Sequence, residues 1–224
     1  MLKIEQLMEM LGMQASMNSK VNPRWVEAGY PFLRAIVIEG AEAIDHTDWK
    51  WWKAQKPNLP QLQMEVVDIW HFALSAELVA NESDAFRAAR GMLAELADAG
   101  DRLVFDDETY VISELDLVRK LEIMIGLAAV RRFSLSLFRG VLADCGMTWE
   151  DLYRQYVGKN TLNFFRQDHG YKAGTYEKTW NGREDNEHLV EILAAEDSAA
   201  EDFRNRIYAG LLARYQQPVD APAN

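Results

Sequence analysis

Apolar residues recur at three- and four-residue spacing over most of this chain, and strict apolar–polar alternation is rare. That rhythm gives each segment one stripe to bury as a helix and leaves little that would pair as strands. Punctuation is sparse as well, with 13 glycines and 6 prolines in 224 residues. The expectation is an all-α protein. Leu2, Ile4, Leu7, Met8 and Leu11 mark a first helix over 2–18. Pro31 suits a helix start, continued by Phe32, Ile36, Val37, Ala41 and Ile44. After Trp49, Trp51 and Trp52, the turn Lys56-Pro57-Asn58-Leu59-Pro60 opens a helix that reaches about Asn81. Further helices are expected near 82–98, 114–132, 134–145, 148–167 and 186–214, with loops at 100–112 and 168–183. No repeat or linker interrupts the pattern, so 1–217 reads as one helical domain and 218–224 as a flexible tail.

Composition narrows the function classes. The net charge of −11 argues against a general nucleic-acid binder, which carries a basic face. No apolar run approaches the ~20 residues of a membrane span, so no membrane partner is expected. Glu5 and Glu9 make a secretory signal unexpected, and the single cysteine, Cys145, cannot form an internal disulfide. A cytoplasmic location follows as the expectation.

Two pairs of acids carry the strongest chemical signal. Glu39 and Glu42 are three apart in one apolar helix, and Glu65 and Asp68 are three apart in the next. Residues at i and i+3 share a helix face. If the intervening turn folds the two helices side by side and antiparallel, four carboxylates converge in one crevice. Left bare, they would repel at a cost of several kcal/mol per ion. A hard divalent cation such as Mg²⁺ removes the conflict, because it takes oxygen ligands and commonly bridges carboxylates to substrate phosphates. Either pair alone reads more readily as a solvated polar face; it is the two pairs on adjacent apolar helices that bring in the metal.

Charge segregation gives a second signal. Between 159 and 183 stand Lys159, Arg166, Lys172, Lys178 and Arg183 against two acids, whereas 184–202 holds eight acids and no base. A basic, glycine-containing loop suits an anion with several oxygens, although it also reads as a solvated counterweight to the acidic surface. Together the acids and the loop suggest metal-assisted hydrolysis of a phosphoanhydride, with a glutamate as general base. Gln14 and Asn18, four apart, offer amide donors and acceptors. His71 lies one helical turn beyond Asp68, and the tryptophans are candidates for stacking on a base.

These residues resemble the dimeric dUTPases of the all-α NTP pyrophosphatase superfamily, a group that includes MazG-type enzymes and phage dCTPase-dUTPases. Gln14-Ala-Ser-Met-Asn18 resembles the opening helix motif. Glu39-Gly-Ala-Glu42 with Trp49-Lys-Trp-Trp-Lys53, and then Glu65-Val-Val-Asp-Ile-Trp-His-Phe72, resemble the two metal motifs. The stretches Gly158–Lys172 and Gly174–Asn186 resemble the long C-terminal signature, while 82–147 carries no such motif and reads as an inserted helical region covering or enlarging the site. The resemblance implies a helical bundle of this type, hydrolysis of dUTP and dUDP to dUMP, two or more Mg²⁺ ions and a homodimer. It implies Glu39, Glu42, Glu65 and Asp68 as metal ligands, with Glu42 the first candidate for activating water and Glu39 the second. Lys159, Arg166, Tyr171, Lys172, Lys178 and Asn186 would hold phosphates. Gln14, Asn18, Trp52, His71 and Asn163 would lie at the base and nucleoside. Arg166→Ala would then weaken nucleotide binding much more than stability. A preference for dCTP, or a nucleotide-binding module without turnover, stands as the alternative.

Overall fold

Capping chemistry sets most helix starts. The computed structural model describes residues 1–198, 200 and 202–216, so the expected tail 218–224 lies outside the described residues. Its helices are α1 (Ile4–Val21), α2 (Phe32–Asp45), α3 (Leu59–Ala80), α4 (Ala85–Asp98), α5 (Leu117–Ala129), α6 (Leu135–Asp144), α7 (Trp149–Asp168), α8 (Asp185–Ala195) and α9 (Phe203–Tyr215). The Asn58 side chain accepts the Gln61 N–H at the head of α3, with Pro60 in the first turn. Asp84, Asp116 and Ser134 cap α4, α5 and α6 in the same way. Thr148 and Asp151 form a reciprocal capping box on α7.

The all-α class holds, with two small hairpins added. The expected loop 100–112 contains β1 (Arg102–Phe105) paired antiparallel with β2 (Glu108–Val111), turned by Asp106 and Asp107 at positive φ. Two consecutive positive-φ residues make the turn whose twist matches paired strands. A second hairpin, β3 (Thr179–Trp180) with β4 (Arg183–Glu184), turns at Asn181-Gly182 inside the expected loop 168–183. The continuous helix expected over 186–214 is instead divided into α8 and α9. The division begins at Glu196, which leaves α8 in extended backbone, and Asp202 lies ahead of the first residue of α9.

Helix α3 runs through the middle. It buries Val66, Ile69, Trp70 and Leu74 almost completely and packs on α1, α2, α4 and α7. Buried among these apolar neighbours are three polar side chains of the same helix, Glu65, His71 and Ser75. Burying polar groups costs free energy unless partners satisfy them, so their surroundings define the site. Helix α2 lies between α3 and α5. The backbone N–H of Asn58 donates to the His46 carbonyl at 2.9 Å, closing the connection that folds α3 back along α2.

Candidate active site

The α2–α3 hairpin brings acids from both helices together. Carboxylate oxygens of Glu39, Glu42 and Glu65 all lie within 4.8 Å of one another. Glu42 is exposed and Glu65 is buried, so the cluster spans from solvent into the protein. Asp68 is outside that closest trio and forms an ion pair with Lys159 of α7 at 2.9 Å. Its charge still acts on the others. Glu39 is pushed up to about 8, first by burial and then by repulsion from Asp68, Glu65 and Glu42. Burial and Asp68 also raise Glu65, against the opposing pull of Lys159. Groups that resist ionising together, with oxygen as the only donor, fit a hard divalent cation. His46, singled out for no role by sequence, places Nε2 3.4 Å from Glu65 Oε1. Its position four residues after Glu42 was the available signal.

Beside the acids opens a cavity of about 440 Å³. Of the residues expected around a nucleotide, Gln14, Asn18, Glu39, Asp68, His71, Lys159, Asn163, Arg166 and Tyr171 line it. Cations and acids thus share one chamber with the amides. Trp25, Phe32 and Phe72 supply aromatic walls that sequence reading missed. None of the lining residues comes from 82–147, so that region neither covers nor enlarges this cavity.

Four expected residues stand elsewhere. Trp52 is 57% exposed and makes edge-to-face contacts with Trp49 and Trp51, away from the cavity wall. Lys172 Nζ donates to the Val21 carbonyl at 2.8 Å, tying the loop after α7 to the end of α1. Lys178 pairs with Glu184 at 3.2 Å on the surface. Asn186 is behind Arg166, its Oδ1 3.4 Å from Nη2.

Arg166 is more constrained than its spacing suggested. Its Nε and Nη2 donate to the two oxygens of Asp185 at 2.8 Å each, and the Tyr176 hydroxyl donates to the same carboxylate at 2.8 Å. Asp185 is fully buried. Burial opposes its charge, but the hydrogen bonds and positive charge of Arg166 outweigh burial and hold its carboxyl below the usual range. The fork–fork geometry fixes the guanidinium plane. Nη1 is left beside Asn163 Oδ1 at 3.3 Å, on the cavity side of the pair.

The amides are organised as a network. Gln14 Nε2 donates to Ser75 Oγ at 2.9 Å and to Asn18 Oδ1 at 3.1 Å, and Gln14 Oε1 accepts from the Tyr156 hydroxyl at 2.9 Å. Gln14 is therefore occupied by protein partners and orients Asn18. His71 stacks on Tyr156 with ring centroids 4.3 Å apart. Its Nδ1 lies 2.9 Å from the Val67 carbonyl, which can only accept, so Nδ1 carries the proton. Burial pushes His71 down to about 4 and keeps it neutral. Nε2 is then an acceptor, buried without a partner.

A protein-family model described as dUTPase matches residues 6–171, from α1 through the acids and Lys159 to Tyr171. No curated protein matches the chain.

Proposed function

The chain belongs to the dUTPase family, of the all-α type, and on that premise we propose that it hydrolyses dUTP, and also dUDP, to dUMP with Mg²⁺. The observation that carries this reading is the juxtaposition of three carboxylates within 4.8 Å with a cavity lined by both Lys159 and Arg166. Glu39, Glu42, Glu65 and Asp68 would hold two or more ions. Bound there, the metal supplies positive charge to phosphate oxygens and lowers the pKa of a coordinated water. Lys159, Arg166 and Tyr171 hold the phosphate chain. Lys172 and Lys178 stand outside the cavity on Val21 and Glu184, and the phosphate role expected of them would require those contacts to be released. Asn186 helps to hold Arg166. Glu42, exposed at the mouth of the acid cluster, takes the proton of the attacking water; Glu39 is the second candidate.

The base end supports uracil. Uracil carries a hydrogen at N3, whereas cytosine presents a lone pair there. A shift of the His71 ring that uncovers its buried, unpartnered Nε2 acceptor would let it meet that N–H, whereas it would meet the lone pair of cytosine unfavourably. Asn18, steered by Gln14 and Ser75, and Asn163 complete the polar contacts. Trp25, Phe32 and Phe72 supply apolar area.

A homodimer forms part of the proposal. Next to the cavity, Tyr30, Pro31, Phe32, Ala35, Ile38 and Phe72 shape an apolar depression, and Ile38 is 53% exposed. Light scattering on the purified protein would report two copies. Among the described residues no helix is long and apolar enough to cross a membrane.

The test of activity is a panel of dUTP, dUDP, dCTP and dTTP, assayed for monophosphate with Mg²⁺ and again with a chelator. Production of dUMP, abolished by the chelator, is expected. Equal turnover of dCTP would overturn the base assignment, and no turnover of any nucleotide would overturn the activity.

A further inference from the structure

Region 82–147 carries no motif and lines no part of the cavity, yet α5 within it packs against α2 along the helix that bears Glu39 and Glu42. One close approach is at Gly40. A Cβ built there would be 2.8 Å from Ile125 Cγ1 and 3.3 Å from Ile125 Cδ1. Glycine is an unfavourable residue in mid-helix, and here its missing side chain is what admits the neighbour. The next residue of α5 is locked from another direction, because a Cβ on Gly126 would stand 2.6 Å from Phe105 Cζ of β1. The hairpin thus backs α5, α5 backs α2, and α2 presents its acids to α3.

We propose that Ile125, seated on Gly40, is a positioning residue that sets the depth of α2 against α3 and thereby the divalent-cation affinity of the Glu39/Glu42/Glu65 cluster. This rests on the reading of that cluster as a cation site. Carbon atoms pack at about 3.5–4.0 Å, so a methyl at Gly40 asks for a shift of roughly 0.7–1.2 Å. A functional constellation tolerates only about 0.5 Å. The clash falls on the outer atoms of the Ile125 side chain, so the part of this shift that the side chain does not absorb by rotating passes to α2 and draws on that tolerance. On this account region 82–147 serves the reaction from behind, by holding ligands that it never touches.

The test is Mn²⁺ binding by calorimetry on the full chain, normalised to the folded fraction, for the wild type, Gly40→Ala, Ile125→Ala and the double variant. Gly40→Ala should weaken Mn²⁺ affinity about tenfold, as the loss of support behind metal ligands typically does. Removing the obstructing side chain in the double variant should restore most of that loss. Gly210→Ala in α9, where a Cβ would also meet a neighbour at 3.2 Å, is the control and should leave Mn²⁺ affinity unchanged. If Gly40→Ala does not fold, Ile125→Ala alone carries the test and should weaken Mn²⁺ binding severalfold at wild-type helicity. Folded Gly40→Ala with wild-type affinity would overturn the proposal, as would wild-type affinity in Ile125→Ala. A wild-type protein that binds no Mn²⁺ would overturn the cation site itself, a distinct result.

Discussion

Lys159 Nζ lies 2.9 Å from Asp68 Oδ2, and this ion pair joins the acid-bearing α3 to α7 inside the protein. Lys159 is buried, so neither partner is a freely solvated charge. The contact places a phosphate-binding candidate directly against a metal-binding candidate.

Lys159→Met should therefore destabilise the metal-free protein. Asp68 would face Glu39 and Glu65 with no counter-charge, at a cost of about 2–3 kcal/mol, below the fully buried value because Asp68 keeps some exposure. Mg²⁺ should return part of this loss, while nucleotide turnover stays low. Denaturant midpoints with and without a chelator measure it, and an unchanged midpoint in chelator would contradict the role assigned to the pair.

Glu39 makes stability depend on pH in a predictable direction. The native protein holds that proton up to about 8, whereas the unfolded chain releases it near 4.5. Between those values the native state binds more protons, so stability falls as pH rises. In chelator, melting temperatures of the wild type should drop relative to Glu39→Gln across that window. Saturating Mg²⁺ should remove the trend at its upper end. A pH-independent difference between the two proteins would count against the crowded acid cluster.

Arg166 and Asp185 stand or fall together. Asp185→Ala leaves a buried guanidinium without its partner and should cost about 3 kcal/mol of stability. It should also raise KM, since the guanidinium plane is no longer fixed. Arg166→Ala strands the buried carboxylate and should lower stability as well as binding, a larger stability loss than the sequence alone suggests. Thermal melts beside Michaelis constants report the two effects. Wild-type stability in either variant would refute the coupling.

His71→Ala should erode the choice of base. Loss of the unpartnered acceptor should shift the dUTP-over-dCTP ratio of kcat/KM by about 1–3 kcal/mol, the usual cost of a buried hydrogen bond left unmade. The two substrates measured side by side give the answer, and an unaltered ratio would place base selection elsewhere.

Much of this was legible in the sequence because helices translate spacing into faces. Glu39/Glu42 and Glu65/Asp68 each read as one face, and the turn before Pro60 announced the hairpin that joins them. The all-α class followed from the same periodicity. What escaped were features set by tertiary contact. Nothing in sequence pairs Asp68 with Lys159 across 91 positions, closes Asp185 on Arg166, or consumes the Gln14 amide with Ser75 and Tyr156. The strands at Asp106-Asp107 and Asn181-Gly182 were missed because four-residue and two-residue strands are too short to show alternation, although Asn-Gly was a turn signal. Trp25 and Phe32 gave no sign of walling a cavity, since an aromatic residue at a helix edge usually serves the core.

The most direct measurement is dUMP formation from dUTP by the wild type and by Glu65→Gln, each with Mg²⁺ and with excess chelator. Wild-type turnover that vanishes with chelator, and a variant that folds but neither binds Mn²⁺ normally nor turns over, is the predicted result. Undiminished hydrolysis by Glu65→Gln, or by the wild type in chelator, would contradict a cation held between α2 and α3.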